Sequence, residues 1–335
     1  MDFGNATLAH FHFSLNDLNV SPELLGSTAI VDRDGYRIHF TIPASEDEFG
    51  PAWESGESVL AGGAQASDSG EWTCRMLQLV RLSVELELPD AAIEDDLDRQ
   101  TIDDSSRLLW LAADAARRFV YDYVTRVRTR HGQYWLAHSA EGPRVAWLTT
   151  VVDRGTGKKL RIGYADPLKT GVWPSGMDAL STAAHAEAIR AIEMEAEASV
   201  PELLLADAMY LAWTADSPRH REAVLLAAVA AEVKIKESLD SACAEPARPL
   251  LEFALQNPRD VSVQAAALYD KAAEAVTGRS LRKEDRQLYK GLESLFKHRN
   301  AVAHGAVVVQ AKQVRADIVA AREAMKWADS LTVLP

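Results

Sequence analysis

Between Ala223 and Ala231 the chain runs AVLLAAVAA, a stretch of nine apolar residues bounded by Glu222 and Glu232. It is the longest such run in the chain, and far shorter than the roughly 20 residues that cross a bilayer. Placed on a helix over Pro218–Ala242, the apolar character reaches Val233, broken only at Glu232, and covers nearly every side of the helix. A helix with no polar face has no side to give to water, so it belongs in the centre of a bundle. The surrounding sequence supplies the partners. From Asp178 onward, all but Val307–Val309 reads as helix: Ser181–Ala198, Pro201–Thr214, Ser262–Val276, Glu284–His298 and Lys312–Leu331.

The front of the chain has a different period. Ala9–Leu15, Gly26–Val31, Tyr36–Ile42 and Met76–Leu88 are alternating or apolar segments with turn signals between them, which predicts strands. Asp32-Arg33-Asp34-Gly35 predicts a tight hairpin, since Asp-Gly accepts the positive φ angles such turns require. Pro43–Gly70 reads as loop. The acidic stretch Asp90–Asp104 reads as a linker, with a helix starting at Asp104-Ser105 and continuing through the amphipathic Arg107–Arg128. Val145–Val152 and Lys159–Ala165 predict a second hairpin, with Asp153-Arg154-Gly155-Thr156-Gly157 as its turn and a Gly-Thr-Gly-Lys-Lys piece starting at Gly155. That piece lacks the first glycine and the Ser/Thr after lysine that a phosphate loop needs. The fold class is therefore α+β. A strand-rich mixed domain over residues 1–175 is followed by a connecting helix at 176–200 and an all-α bundle at 201–335.

Charge is unevenly shared. The whole chain carries −13, which alone argues against nucleic acid. Residues 1–100 hold 5 Lys/Arg against 19 Asp/Glu, whereas residues 201–335 hold 18 of each. Within the latter, Arg279, Arg282, Lys283, Arg286, Lys290, Lys297 and Arg299 face only Glu284, Asp285 and Glu293 in the same segment. Such a stripe suits phosphate binding, and it equally suits a solvated helix face. Two cysteines, Cys74 and Cys243, exclude a disulfide scaffold or zinc ribbon. The N-terminal Met1-Asp2-Phe3-Gly4-Asn5 has neither positive charge nor apolar core, so no leader, no membrane segment and a cytoplasmic location are expected.

The segment Leu292–Gly305, LESLFKHRNAVAHG, carries the chemistry. Leu288, Leu292, Leu295 and Phe296 form one helical stripe, and Arg299 continues it at 100° per residue. A guanidinium on an apolar stripe is costly unless paired or working. Gly305 offers a helix stop and leaves His304 at the C-terminal turn, where the helix dipole favours an imidazolium. Arg299-Asn300-Ala301-Val302-Ala303-His304 resembles the signature of HEPN domains: an arginine, most often followed by asparagine, then a histidine after four to six residues. Pro201–Thr214 and Arg221–Glu232 are similar to the first two helices of that bundle. The resemblance covers about residues 200–335; a strand-rich front before such a bundle is similar to the ApeA-like group.

The resemblance implies a homodimer through the C-terminal bundle, with both motifs facing one cleft, and cleavage of RNA without metal or other cofactor. His304 would serve as general base or acid, Arg299 would hold the scissile phosphate, and Asn300 would orient either. Products would end in a 2′,3′-cyclic phosphate and a 5′-hydroxyl. Arg282, Lys283, Arg286, Lys290, Lys297 and His298 are the candidate RNA contacts, His298 being equally an ordinary surface residue. Such proteins commonly act as toxins or anti-phage effectors, which makes the front domain a sensor for a protein or ligand trigger. The alternatives are a non-catalytic dimerisation or partner-binding module, and a partner of a small nucleotidyltransferase. Glu232 either pairs with Lys236 at i,i+4 or holds Arg299 in place. His10 and His12 share a strand face and could chelate a metal with His39 or Cys74, with chance placement as the ordinary alternative, and Trp135, Trp147 and Trp173 read as core.

Overall fold

The computed structural model describes residues 7–44, 60–65, 72–86, 99–136, 145–153, 159–162, 179–213, 219–243, 265–305 and 309–331. They divide into two units, Met1–Glu197 and Ala198–Pro335. In the first, strands β1 (Thr7–Val20), β2 (Thr28–Arg33), β3 (Tyr36–Thr41), β4 (Leu60–Gln65), β5 (Trp72–Leu86), β6 (Val145–Asp153) and β7 (Lys159–Ile162) form an antiparallel sheet. Its order is β2-β3-β5-β1-β6-β7, with β4 also pairing β5. Alternation sets the faces: Phe11 and Phe13 on β1, Ile38 and Phe40 on β3, and Val80, Leu82 and Val84 on β5 are buried.

Helix α1 (Arg99–Arg130) packs on β1, β3 and β5. Phe119 and Tyr123 bring their rings to 5.5 and 4.6 Å from that of Phe40. The β2–β3 hairpin turns at Asp34 and Gly35, both with positive φ (54° and 79°), as the Asp-Gly pair predicts. Helix α2 (Thr182–Glu193) is capped by Ser181, whose side chain accepts from the Ala184 amide. It packs on α1 and β2 through His185, Ala188, Ile189 and Ile192. This corrects its reading as a connector: its apolar stripe is used inside the first unit.

Two further expectations are corrected. β4 lies within Pro43–Gly70, read as loop because Gly62 and Gly63 dilute the alternation; pairing to β5 supplies what propensity does not. Helix α1 begins at Arg99, five residues before the Asp104-Ser105 start, so Asp103 and Asp104 lie inside it. The 154–158 turn and Trp173 lie outside the described residues, and Trp135 is buried as expected.

The second unit contains α3 (Val200–Trp213), α4 (His220–Ala242), α5 (Ala265–Ala267, a π-helical turn Leu268–Ala272, then Ala273–Thr277), the short α6 (Leu281–Glu284), α7 (Arg286–Ala303) and α8 (Ala311–Asp329). The apolar α4 packs against α3, α5, α7 and α8, and Ala223, Val224, Ala227, Ala228, Ala230 and Ala231 are buried. Its covering is incomplete. Val229 is 41% exposed, and Leu225, Leu226 and Val233 are partly so. Buried Tyr269, in the π-helical turn, donates to the Ala231 carbonyl at 2.7 Å and pins α4 beside Glu232. No described helix is long and apolar enough to cross a membrane.

Buried His185 makes the first unit acid-sensitive. Its Nδ1 meets the Tyr123 hydroxyl at 2.8 Å, and burial pushes its pKa from 6.5 down to about 4. The unfolded chain therefore takes up a proton that the folded chain refuses. Stability is complete above pH 6.5 and falls as the pH drops towards about 4, by at most about 1.4 kcal/mol per unit. Thermal unfolding followed from pH 7 to 5 should show a falling Tm, and His185→Gln, which keeps an acceptor that does not titrate, should flatten that slope.

Candidate functional site

Helix α7 starts where Asp285 accepts the Leu288 amide at 2.9 Å. It buries Tyr289, Leu292, Leu295 and Phe296 along one face. Gly291 lets α8 come close, since a Cβ there would stand 3.1 Å from that of Ala320. The helix stops at Gly305, which has φ +75°. The His304 amide bonds back to the carbonyls of Asn300 and Val302, and the Val302 carbonyl also accepts Arg221 Nη2 at 3.3 Å. A cation at the helix C-terminus is favourable to the macrodipole.

One turn beyond Phe296, Arg299 ends the apolar stripe and meets α4. Its Nη2 donates to Glu232 Oε2 at 2.7 Å and its Nη1 to Asn300 Oδ1 at 3.3 Å, while its guanidinium carbon lies 5.9 Å from the Phe296 ring centre. Arg299 Nε is shielded from solvent and has no hydrogen-bond partner among the described residues. The second oxygen of Glu232 accepts Lys236 Nζ, also at 2.7 Å. Both sequence alternatives for Glu232 thus hold at once, one oxygen to each cation.

Arg299, Asn300 and Glu232 are therefore brought together. His304 is not joined to them by a side-chain contact: it caps the helix, exposed, with no side-chain hydrogen bond or ion pair among the described residues. The six candidate RNA contacts do not form one stripe with Arg299. Arg286, Lys290 and Lys297 are exposed and, at 100° per residue, project roughly 140–180° away from it. Arg282 lies against Asp270 (3.7 Å) and over the Tyr289 ring, and Lys283 is paired with Glu274. The reason is geometric: a run of cations stretching from Arg279 to Arg299 winds around its helix and over neighbouring turns.

His298 departs from its reading as a surface histidine. Its Nδ1 lies 2.7 Å from Asp317 Oδ2 on α8, and its side chain is 23% exposed against 2% for Asp317. Burial raises the Asp317 carboxyl above its ordinary range, and hydrogen bonds from His298 and Gln313 oppose that rise. Sequence reasoning missed Asp317 and Arg221. Asp317 had a signal, because it interrupts the apolar positions Val314, Ile318 and Ala321 of α8 much as Glu232 interrupts α4. Arg221 had none, since only the fold carries it to the end of α7.

On the sheet, His10 Nδ1 meets Ser83 Oγ at 2.6 Å and His39 Nε2 meets Glu85 Oε1 at 2.8 Å. Among the described residues no three His, Cys, Asp or Glu side chains are placed to hold a metal ion. No family model, no curated protein and no solved structure matches the chain.

Removing the carboxylate from this seam should be felt in stability. Glu232→Ala leaves Arg299 and Lys236 without their shared acceptor and should cost about 1–2 kcal/mol, whereas Glu232→Gln should cost less. Denaturant unfolding of both variants checks the order; equal, negligible losses would show that the pair does not hold α4 to α7.

Proposed function

We propose that the chain is a metal-independent endoribonuclease of HEPN type, working as a homodimer through its helical unit. The observation that carries the reading is Arg299. It sits at the end of the core face of α7, gripped by a carboxylate on α4, with Asn300 tied to it and about a third of its side chain open to solvent. Such a guanidinium is held in place to meet an anion. A phosphodiester supplies one, with charge growing on its oxygens in the transition state. His304, open to solvent at the helix stop, is free to exchange a proton with a substrate.

Dimerisation is supported by α4. Leu225, Val229 and Val233 leave apolar surface on the side of the helix that also carries Glu232. A second copy covering that strip would bring two Arg299 side chains near one cleft. The strand-rich unit would then be the sensor of a protein or ligand trigger, and the activity that of a toxin or anti-phage effector in the cytoplasm. A second reading, the non-catalytic dimerisation module, is favoured by one fact: Arg299 already has an ion-pair partner, as a purely structural arginine would.

Incubating total RNA with the purified protein in EDTA, beside Arg299→Ala and His304→Ala, separates the two. The nuclease reading expects cleavage by the wild type, a loss of at least about 100-fold in each variant, and ends bearing 2′,3′-cyclic phosphate and 5′-hydroxyl. A 3′-hydroxyl product, or cleavage only when a divalent ion is supplied, would sink it. Dimers without cleavage, in the wild type and both variants alike, favour the module.

A further inference from the structure

The bundle holds a second histidine with better support than the one at the helix stop. His298 directly precedes Arg299 and is fixed through Nδ1 by Asp317, whose side chain is almost fully enclosed. Asp317 is itself held by Gln313, which also reaches Ser294 one turn before His298 at 3.5 Å. A carboxylate on Nδ1 sets the tautomer: the proton sits on Nδ1 and the lone pair on Nε2. The imidazole keeps part of its surface open, and Nε2 is not among the enclosed nitrogens left without a partner. His304 has no comparable partner among the described residues.

Helical geometry also favours it. His298 emerges roughly 100° from Arg299, whereas His304, five positions further on, emerges roughly 140° away. A bundle needing only a clip between α7 and α8 would do as well with two apolar side chains, and exchanging a buried ion pair for such packing is often neutral or stabilising.

We propose that His298 is the general base of the ribonuclease, with Asp317 as its positioning residue and His304 left to act as the acid. The inference rests on the ribonuclease reading and deepens it. His298 Nε2 takes the proton of a ribose 2′-hydroxyl. The O2′–P bond forms while the P–O5′ bond breaks, and its electron pair leaves on O5′. A proton from the His304 imidazolium neutralises that oxygen. Arg299 holds the phosphate throughout. The products are the 2′,3′-cyclic phosphate and the 5′-hydroxyl, and no oxidant, reductant or metal is consumed.

The test compares the full-length wild type with His298→Ala, His298→Gly, Asp317→Asn and Arg299→Ala on one RNA, recording kcat, KM and Tm. His298→Ala should lose at least about 100-fold in kcat with KM little changed. Added imidazole should restore part of the His298→Gly rate and none of the Arg299→Ala rate. Asp317→Asn should lose at least about tenfold in kcat, because asparagine no longer holds the proton on Nδ1. Imidazole rescue separates lost chemistry from lost packing even where Tm falls. Cleavage that survives His298→Ala, or a His298→Gly variant deaf to imidazole, overturns this inference alone. A wild type that cuts no RNA overturns the ribonuclease reading and this inference with it.

Discussion

A helix without a polar side dictates how the second unit is built. The run Ala223–Ala231 has almost nothing polar to offer water, so α3, α5, α7 and α8 close around most of α4, leaving Val229 open, and supply a contiguous core among the described residues of this unit. Everything polar that reaches α4 does so under that constraint. Glu232 follows directly on the run, and its carboxylate would be expensive to desolvate alone. It meets Arg299 from α7 and Lys236 from its own helix, each at 2.7 Å. About a quarter of its side chain stays exposed, so the pairs are partly screened and their net contribution is modest. Their larger effect is to decide where the Arg299 guanidinium points.

Helix α7 has three sides, and its functional residues are divided among them. Tyr289, Leu292, Leu295 and Phe296 face the core, Gly291 and His298 meet α8, and Arg286, Lys290 and Lys297 face solvent. The solvent-facing cations thus stand on the far side from Arg299. A polyanion gathered by them is not thereby delivered to Arg299 of the same helix. In the proposed ribonuclease they would raise the local concentration of RNA through their field, which acts at a distance of about one Debye length, while the grip on a particular phosphate would belong to Arg299.

Much of this was legible in the sequence wherever a periodic pattern met a local rule. The Asp34-Gly35 turn, the central α4 and the stop at Gly305 each follow from residue chemistry at a fixed position. The placing of Arg299 on the apolar stripe of α7 and the pairing options of Glu232 were legible for the same reason: a charge in an apolar period must be accounted for. What was not legible depends on contacts far apart in the chain. β4 exists because β5 offers it an edge, and α2 joins the first unit because α1 and β2 accept its buried face. Asp317 and His298 lie 19 residues apart on two helices, and only the antiparallel packing of α7 and α8 brings them together. The apparent basic stripe failed because sequence proximity is not angular proximity on a helix.

Three consecutive side chains at the end of α7 are each held. Asp317 on α8 fixes His298, Glu232 on α4 fixes Arg299, and Asn300 is tied to Arg299. Fixing long polar side chains costs rotamer entropy, up to about 2 kcal/mol for an arginine, and burying carboxylates to do so costs desolvation as well. The bundle gains little from it, for its core is already continuous through Leu292, Leu295 and Val302. Two carboxylates from two different helices, converging on neighbouring residues of a third, specify side-chain direction rather than stability. Direction matters most to a group that must meet another molecule, and the place where it is specified is the turn that carries Arg299 and Asn300 and ends at His304.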